Sequence, residues 1–368
     1  MRGLYIHVPF CVSKCAYCDF FSVPGRLELI DAYIDAVLAE SRTYRGSSCR
    51  TLYLGGGTPS LLGAEGVEKL LSGLRRTLDL ADLVEATIEV NPDSATMDLL
   101  ETAIAFGINR VSIGVQSLTD SELNSVGRIH TAAQAVEAML HAKSAGFTGI
   151  SADIIIGLPG QDWETLRAAL ESLVKLGINH LSLYCLALEA GTPLTIKPPD
   201  DLPSDDMQAE LFCRASSFLE DRGFIHYEIS NFARPGCECQ HNLNYWRGGE
   251  YIGLGPAAAS HLHGRRFKNR ADLDAYLVDP THLVEETEEL GAREKAGEEA
   301  MLRLRLLAEG IDIQELRTRF GSENTEALAQ RLEEMVQLRQ LILEGSRYLL
   351  APDRVLTSNP IFARVLGN

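Results

Sequence analysis

Short apolar runs alternate with amphipathic stretches over the first 230 residues of this 368-residue chain. The apolar runs predict strands over 3–8, 51–54, 85–90, 110–115, 150–156 and 180–185. The run 150–156 is almost continuously apolar, as expected of a strand that is covered on both faces. Helical spacing occupies the stretches 27–43, 64–77, 131–145 and 162–175. Such repeated strand and helix units predict an α/β fold with a parallel sheet.

Periodicity leaves two arrangements of these units open. An incomplete TIM-like barrel and a doubly wound open sheet both bury parallel strands between helices. A Pro- and Asp-rich stretch over 197–206 predicts a surface loop that ends this part of the chain.

The rest of the chain has a different pattern. Residues 231–270 mix Gly, aromatic and His residues and predict irregular structure. From about residue 290, helical patterns precede a candidate hairpin around Gly345, an order typical of a winged-helix-like module. We therefore expect a strand and helix domain over 1–230, an irregular linking region over 231–285, and a winged-helix-like domain over 286–368.

Charge and hydropathy argue against two classes of protein. With 34 Lys and Arg residues against 51 Asp and Glu residues, the formal net charge is −17, which disfavours a nucleic-acid partner. No apolar run approaches the roughly 18 residues that a membrane-spanning helix needs. Met1 is followed almost at once by the first predicted strand, which leaves no room for a signal peptide, so we expect a cytoplasmic protein.

Three cysteines, Cys11, Cys15 and Cys18, lie on one short segment directly after the first predicted strand. Disulfides explain them poorly, because the number is odd and the spacing is too tight to staple a large fold. A structural zinc site needs four ligands, so it would have to recruit His7 or Asp19. A [4Fe–4S] cluster is the sharper interpretation, since three thiolates leave one iron open to an exchangeable partner.

Polar groups follow or interrupt several of the predicted strands. Gly55–Gly57 follow a strand directly, and residues without side chains allow a ligand to approach the backbone. Glu89 and Asp153 lie inside apolar strands, where a carboxylate needs a partner or a ligand. Gln116 adds an amide after another strand, and Arg128 offers a planar fork for a carboxylate.

A second cluster of soft ligands begins at Cys237 and includes Cys239 and His241. Only three such groups are present and no second Cys pair follows, which makes zinc a poor explanation. His241 could instead ligate heme iron, with Tyr245 and Trp246 as flat apolar surface and Cys239 as an alternative thiolate ligand. A buried histidine with satisfied hydrogen bonds is the structural alternative.

The spacing Cys-x3-Cys-x2-Cys, with Tyr17 before the third cysteine, resembles the signature of the radical S-adenosylmethionine (SAM) superfamily. Together with it, segments over nearly the whole chain resemble the HemN-related branch, namely 5–11, 55–59, 89–92 and 241–246. That branch contains oxygen-independent coproporphyrinogen III dehydrogenase and a group of heme chaperones. The dehydrogenase has a fourth cysteine two residues after the third, where this chain has Asp19-Phe20, a difference that favours the chaperones.

The resemblance implies an incomplete (β/α)6 TIM-like barrel in which Cys11, Cys15 and Cys18 hold a [4Fe–4S] cluster that SAM completes. The residues that it implies for SAM are Tyr5, Tyr17, Gly56, Gly57, Thr58, Glu89, Gln116, Arg128 and Asp153. The last three match positions that contact a further SAM in the dehydrogenase. The motif His-Asn-x-x-Tyr-Trp implies that His241 binds heme.

By the same resemblance, the function favoured is that of a heme chaperone that delivers heme to an acceptor protein. The alternative is a radical SAM enzyme that acts on a tetrapyrrole. A chaperone need not abstract hydrogen, so no catalytic residue is assigned. The sequence decides neither whether the acceptor is membrane-associated nor whether the protein is a monomer or a homodimer.

Overall fold

A twelve-stranded mixed sheet organises the computed structural model, which describes residues 1–367. A separate short sheet consists of β2 (Phe10–Cys11) and β3 (Val23–Pro24). The strands of the large sheet are β1 (Arg2–Val8), β4 (Thr51–Gly56), β5 (Glu85–Val90), β6 (Arg110–Gln116), β7 (Gly149–Ile156), β8 (His180–Cys185), β9 (Ile225–Glu228), β10 (Asn231–Ala233), β11 (Glu250–Leu254), β12 (Ala259–Leu262), β13 (Arg265–Asn269) and β14 (Val284–Glu289).

The sheet runs in the order β14-β13-β12-β11-β1-β4-β5-β6-β7-β8-β10-β9. Its centre, from β11 to β8, is parallel, and antiparallel strands extend it at both ends. The six predicted strands are confirmed as β1 and β4 to β8. Within residues 1–367 the edge strands β14 and β9 do not pair with each other, so the sheet is an open, TIM-like partial barrel and not a closed one.

Helices cover the parallel strands and bury their apolar faces against them. Those of the first 285 residues are α1 (Ile30–Ser41), α2 (Gly63–Arg75), α3 (Met97–Ala105), α4 (Asp120–Ser125), α5 (Ala132–Ala145), α6 (Trp163–Lys175), α7 (Pro193–Ile196), α8 (Asp205–Glu220), α9 (Gln240–Trp246) and α10 (Leu273–Val278). Local signals fix their ends: α5 begins at a capping box between Thr131 and Gln134 and ends at Gly146, whose φ of 98° suits glycine.

The segment 231–285 is more regular than its composition predicts. It contributes strands β10 to β14, and β11 adds to β1 as a further parallel strand. These strands have three to six residues, and the charged side chains are concentrated in β13 and β14. Half-solvated antiparallel strands lack the continuous apolar run of buried parallel strands, which is why composition alone hides them.

The remaining chain forms a helical layer on a small sheet. Its elements are α11 (Ala292–Arg303), β15 (Ile311–Asp312), α12 (Ile313–Phe320), α13 (Ser322–Gln337), β16 (Leu341–Glu344), β17 (Arg347–Leu350) and α14 (Ser358–Leu366). The predicted hairpin is confirmed, since β16 and β17 pair across Gly345, and β15 joins them as a third strand. No helix within residues 1–367 is long and apolar enough to cross a bilayer.

Candidate functional site

A cavity of about 360 Å³ opens at the carboxyl ends of the parallel strands. Ligands bind at this end of a parallel sheet, and the volume lies in the range of small-molecule sites. The three clustered cysteines line it together with most of the other predicted site residues. These are Tyr17, Gly56, Gly57, Thr58, Glu89, Gln116, Arg128 and Asp153.

The cysteine loop is held over this cavity by backbone hydrogen bonds to two other loops. Ala16 donates its N–H to the Val126 carbonyl over 3.0 Å and accepts from the Leu194 N–H over 2.9 Å. All three thiols are free and partly exposed. Burial raises the pKa of Cys18, and the neighbouring thiols Cys15 and Cys11 add to the rise.

Residues 1–367 contain no group of three or more His, Cys, Asp or Glu side chains arranged to hold a single metal ion. A cubane cluster makes a different demand on its ligands, because each of the three thiolates binds a different iron atom. His7, one of the alternative zinc ligands considered above, is buried, and its ring nitrogens lie 3.0 Å from the Tyr5 hydroxyl and 2.8 Å from the Phe21 carbonyl.

Arg128 joins the cysteine loop to the strand ends. One terminal nitrogen lies 3.5 Å from the sulfur of Cys15, and the other donates to the Asn91 amide oxygen and the Gly114 carbonyl, both at 2.9 Å. Its Nε is buried without a partner. The guanidinium therefore places a fixed positive charge beside the cysteine loop in the wall of the cavity.

The glycine loop lies directly against the chain that leads into the cysteine loop. The N–H groups of Gly57 and Thr58 donate to the Val8 and Phe10 carbonyls, both at 2.7 Å. Gly56 has a φ of 112°, and a Cβ there would come within 2.8 Å of the His7 ring. Only glycine fits this position, because the His7 ring takes the space of a side chain; the approach of a ligand to this loop stays a prediction.

Glu89 presents a carboxylate to the cavity from strand β5. The hydroxyl of Tyr53 donates to one of its oxygens over 2.7 Å, and the Gly56 N–H donates to the other over 3.2 Å. Burial raises the pKa of Glu89 to about 7, although the Tyr53 hydrogen bond opposes the rise. The group therefore changes its charge near neutral pH.

Asp153 and Gln116 bring further polar atoms to the same cavity. The Ser112 hydroxyl lies 3.2 and 3.3 Å from the two carboxylate oxygens of Asp153, and burial raises the pKa of this carboxyl group. Gln116 has a φ of 65°, a conformation that costs a non-glycine residue roughly 1–3 kcal/mol. Its Oε1 is buried without a partner, so this amide has an acceptor to offer to a ligand.

Two predicted site residues do not line the cavity. Tyr5 points inward from β1, and its hydroxyl lies 3.0 Å from His7 Nδ1, so its contact with SAM stays a prediction. His241 lies near the amino ends of strands β1 and β4, the opposite end of the sheet. It is only 1% exposed, and Nδ1 and Nε2 each lie 2.9 Å from a hydroxyl, of Thr51 and Tyr245 respectively.

The carboxylate of Glu85 anchors the start of helix α9, which carries His241. It accepts the backbone N–H groups of Gln240 and His241, both at 2.9 Å, and the Cys239 thiol at 3.3 Å. Burial raises the pKa of Cys239, whose thiol is enclosed and donates to Glu85.

Sequence reasoning missed Tyr53, Asn91, Tyr184 and Cys185. Tyr53 holds Glu89, Asn91 holds Arg128, and the last two line the cavity. The alternation of side chains along strands could have indicated Tyr53. Like Glu89, it occupies a partly exposed position of an otherwise buried strand.

Comparison with known proteins gives a consistent result. A family model described as the radical SAM superfamily matches residues 5–173, and one described as the HemN C-terminal domain matches residues 290–352. A protein of Lactococcus lactis named heme chaperone HemW is 33% identical over 369 residues, which cover 99% of this chain and 97% of that protein. One of the same name from Mycobacterium tuberculosis is 35% identical over 378 residues, covering 99% and 95%.

One solved structure shares the overall fold. It is described as "Coproporphyrinogen III oxidase (HemN) from Escherichia coli is a Radical SAM enzyme", and it matches with a TM-score of 0.85 at 23% identity. The match covers 100% of this chain and 89% of that one.

Proposed function

This chain belongs to the radical SAM superfamily, in the HemN-related branch that includes the heme chaperones named HemW, and we propose that it binds heme and delivers it to an acceptor protein. The observation that carries the proposal is the similarity to those chaperones over 99% of this chain. The presence of Asp19-Phe20 after the third cysteine, in place of a further cysteine, supports it. We propose a cytoplasmic site of action, because a low-potential cluster suits a reducing compartment.

The residues around the cavity fit a [4Fe–4S] cluster with SAM. Cys11, Cys15 and Cys18 would bind three of the four iron atoms and leave the fourth for SAM. The loop Gly56–Thr58 offers backbone groups, and Glu89 offers a carboxylate that can accept from hydroxyl groups. The buried, unpartnered Oε1 of Gln116 is the kind of atom that a ligand must satisfy.

Arg128 and Asp153 would add charged groups to the same ligand site. When bound, a reduced cluster supplies an electron to the sulfonium group of SAM. The protein's own part is to orient SAM and to exclude water.

The predicted heme ligand fits less well. His241 is buried, and the Tyr245 hydroxyl occupies the approach to Nε2. Heme iron could bond to this nitrogen only if helix α9 turned outward and Tyr245 moved away. His241 therefore stays a predicted ligand, and the arrangement described here does not fit heme at that position.

A heme titration tests the chaperone proposal directly. The anaerobically reconstituted full chain should give a saturable change in the heme absorption spectrum, and the loaded protein should then transfer heme to an apo-hemoprotein such as apomyoglobin. Transfer no faster than from free heme, or no saturable binding, would contradict the proposal. Serum albumin loaded with heme is a suitable control donor.

A radical SAM enzyme acting on a tetrapyrrole is the second candidate. The observation that favours it is the set of three charged side chains, Glu89, Arg128 and Asp153, that line the cavity. Assay of the reduced protein for 5′-deoxyadenosine, with and without coproporphyrinogen III, separates the two candidates. Substrate-dependent turnover would favour the enzyme.

A further inference from the structure

His241 is packed inside the partial barrel and not on its surface. A Cβ on Gly3 would come within 3.0 Å of the imidazole Cε1, so the ring fills the space that this glycine leaves free. Burial lowers the pKa of His241 to about 3, and the ring is therefore neutral at physiological pH. With both ring nitrogens beside hydroxyl groups and the helix anchored by Glu85, the side chain is fixed in place.

The face of this fixed imidazole supports Tyr53. The two rings stack with their centroids 5.2 Å apart and their planes 27° apart. At its other end, the Tyr53 hydroxyl donates to Glu89 over 2.7 Å. A Cβ on Gly55 would come within 2.9 Å of the Tyr53 ring and 3.2 Å of the Glu89 carboxyl, so the missing side chain also makes room for this pair.

The Glu89 carboxylate thus accepts one hydrogen bond from the glycine loop that lines the cavity and one from Tyr53 inside the barrel. The Gly56 N–H fixes one carboxylate oxygen, and Tyr53 fixes the other. Without the Tyr53 bond, the carboxylate could rotate about its last bonds and would lose a partner in a buried environment. The chain of contacts from His241 through Tyr53 to Glu89 runs from the amino ends of the strands to the cavity.

The geometry points to His241 and Tyr53 as positioning residues of the SAM site, which set the orientation of Glu89 for the bound ligand. This inference rests on the proposed binding of SAM in the cavity. It gives the motif residue His241 a role that needs no heme and that explains why its ring faces inward.

The test is a SAM titration of the anaerobically reconstituted full chain, followed by the change in the electron paramagnetic resonance spectrum of the reduced cluster. Tyr53→Phe keeps the ring and removes only the hydroxyl. We expect it to bind SAM about tenfold more weakly, the order expected for loss of a hydrogen bond to a charged group. His241→Ala should weaken SAM binding as well, because the Tyr53 ring loses its support.

Tyr276→Phe is the matched control. Tyr276 donates to another buried carboxylate, Glu40, over 2.6 Å, and neither residue lines the cavity. This variant suffers the same chemical loss and should keep the SAM affinity of the wild type. Thermal unfolding of all variants shows whether they are folded to the same extent.

Three outcomes decide the matter. Wild-type affinity in Tyr53→Phe would overturn the inference. A loss in His241→Ala no larger than in Tyr276→Phe would remove His241 from the chain of contacts. A wild-type protein whose spectrum does not respond to SAM would instead overturn the proposed SAM site itself.

Discussion

Arg128 donates a hydrogen bond toward the sulfur of Cys15 over 3.5 Å, across 113 positions of sequence. The same guanidinium bonds Asn91 and Gly114, so its position is set by the strand ends and not by the cysteine loop. A charged donor at a thiolate sulfur stabilises negative charge on it. The electronic state of a bound cluster should therefore depend on this arginine.

Arg128→Gln should lower the reduction potential of the bound cluster. Reduction adds negative charge to the cluster. The variant removes a positive charge and a hydrogen bond at the Cys15 sulfur, so the reduction potential should fall by roughly tens of millivolts. A potentiometric titration followed by electron paramagnetic resonance measures the change. Arg75→Gln, which alters an exposed arginine on α2, is the control, and an equal potential in the two variants would contradict the prediction.

SAM affinity should decrease as the pH falls through about 7, the value to which burial raises the pKa of Glu89. The sign follows because the ionised carboxylate accepts strong hydrogen bonds at both oxygens, whereas protonation places a hydrogen on one oxygen and removes the charge that strengthens the bonds to the other. The charged and titratable groups nearest to it are Tyr53, which stabilises the anion, and Asp153, which opposes it. SAM titrations at several pH values check this, and Glu89→Gln should bind weakly with no such dependence.

Glu40 should make the free energy of unfolding depend on pH. It accepts hydrogen bonds from Tyr276, Asn269 and the Gly255 N–H, yet burial raises its pKa to about 7. Because the folded state holds the proton more tightly, this contribution is fully present below about pH 4.5 and is lost as the pH rises through 7. Its full size is at most about 3 kcal/mol.

The measurement is urea unfolding of the wild type and Glu40→Gln at a series of pH values. The difference between their free energies of unfolding should fall with rising pH and level off above 7. Glu68→Gln, an exposed change on α2, controls for net charge. Parallel curves for the wild type and Glu40→Gln would show that Glu40 titrates normally.

Gly3→Ala should destabilise the protein and reduce SAM affinity together. The added methyl group would come within 3.0–3.2 Å of His241 and Thr51, both of which are buried, so overpacking should cost about 1–3 kcal/mol. Gly297→Ala is the matched control, since its methyl group would meet nothing closer than 3.7 Å inside helix α11 and should be neutral or stabilising. Chemical unfolding with a SAM titration reports both effects, and equal stability of the two variants would refute the clash.

Much of this architecture was predictable because buried parallel strands leave a strong mark in sequence. The run Gly149–Ile156 is almost continuously apolar, interrupted only by Ser151 and Asp153, and the Cys-x3-Cys-x2-Cys spacing is specific. Helix α3 was not predicted, because nine residues with three buried positions give little periodicity. Strands β13 and β14 were not predicted because most of their residues are charged or polar, and β11 and β12 were not predicted because they are short and contain Gly, Ser and His.

The direction of a side chain within the barrel was harder to predict. Tyr5 and Tyr53 are equivalent inward positions on neighbouring strands, paired in register, but only Tyr53 reaches Glu89, because β4 is the neighbour of β5 and β1 lies one strand further away. The motif around His241 predicted a heme ligand, whereas its inward orientation depends on Glu85, which lies 156 positions away in sequence. Such long-range anchors leave no local pattern.

Tyr245→Phe decides between the inward and outward roles of His241. The Tyr245 hydroxyl lies 2.9 Å from Nε2, so heme iron must compete with it for that nitrogen. If His241 ligates heme, removal of the hydroxyl should raise heme affinity by about tenfold, the order expected when a competing hydrogen bond is lost, and His241→Ala should abolish the ligand-field change in the absorption spectrum. If both variants bind heme with the affinity and spectrum of the wild type, heme binds elsewhere on the chain, and His241 acts only as a positioning residue of the SAM site.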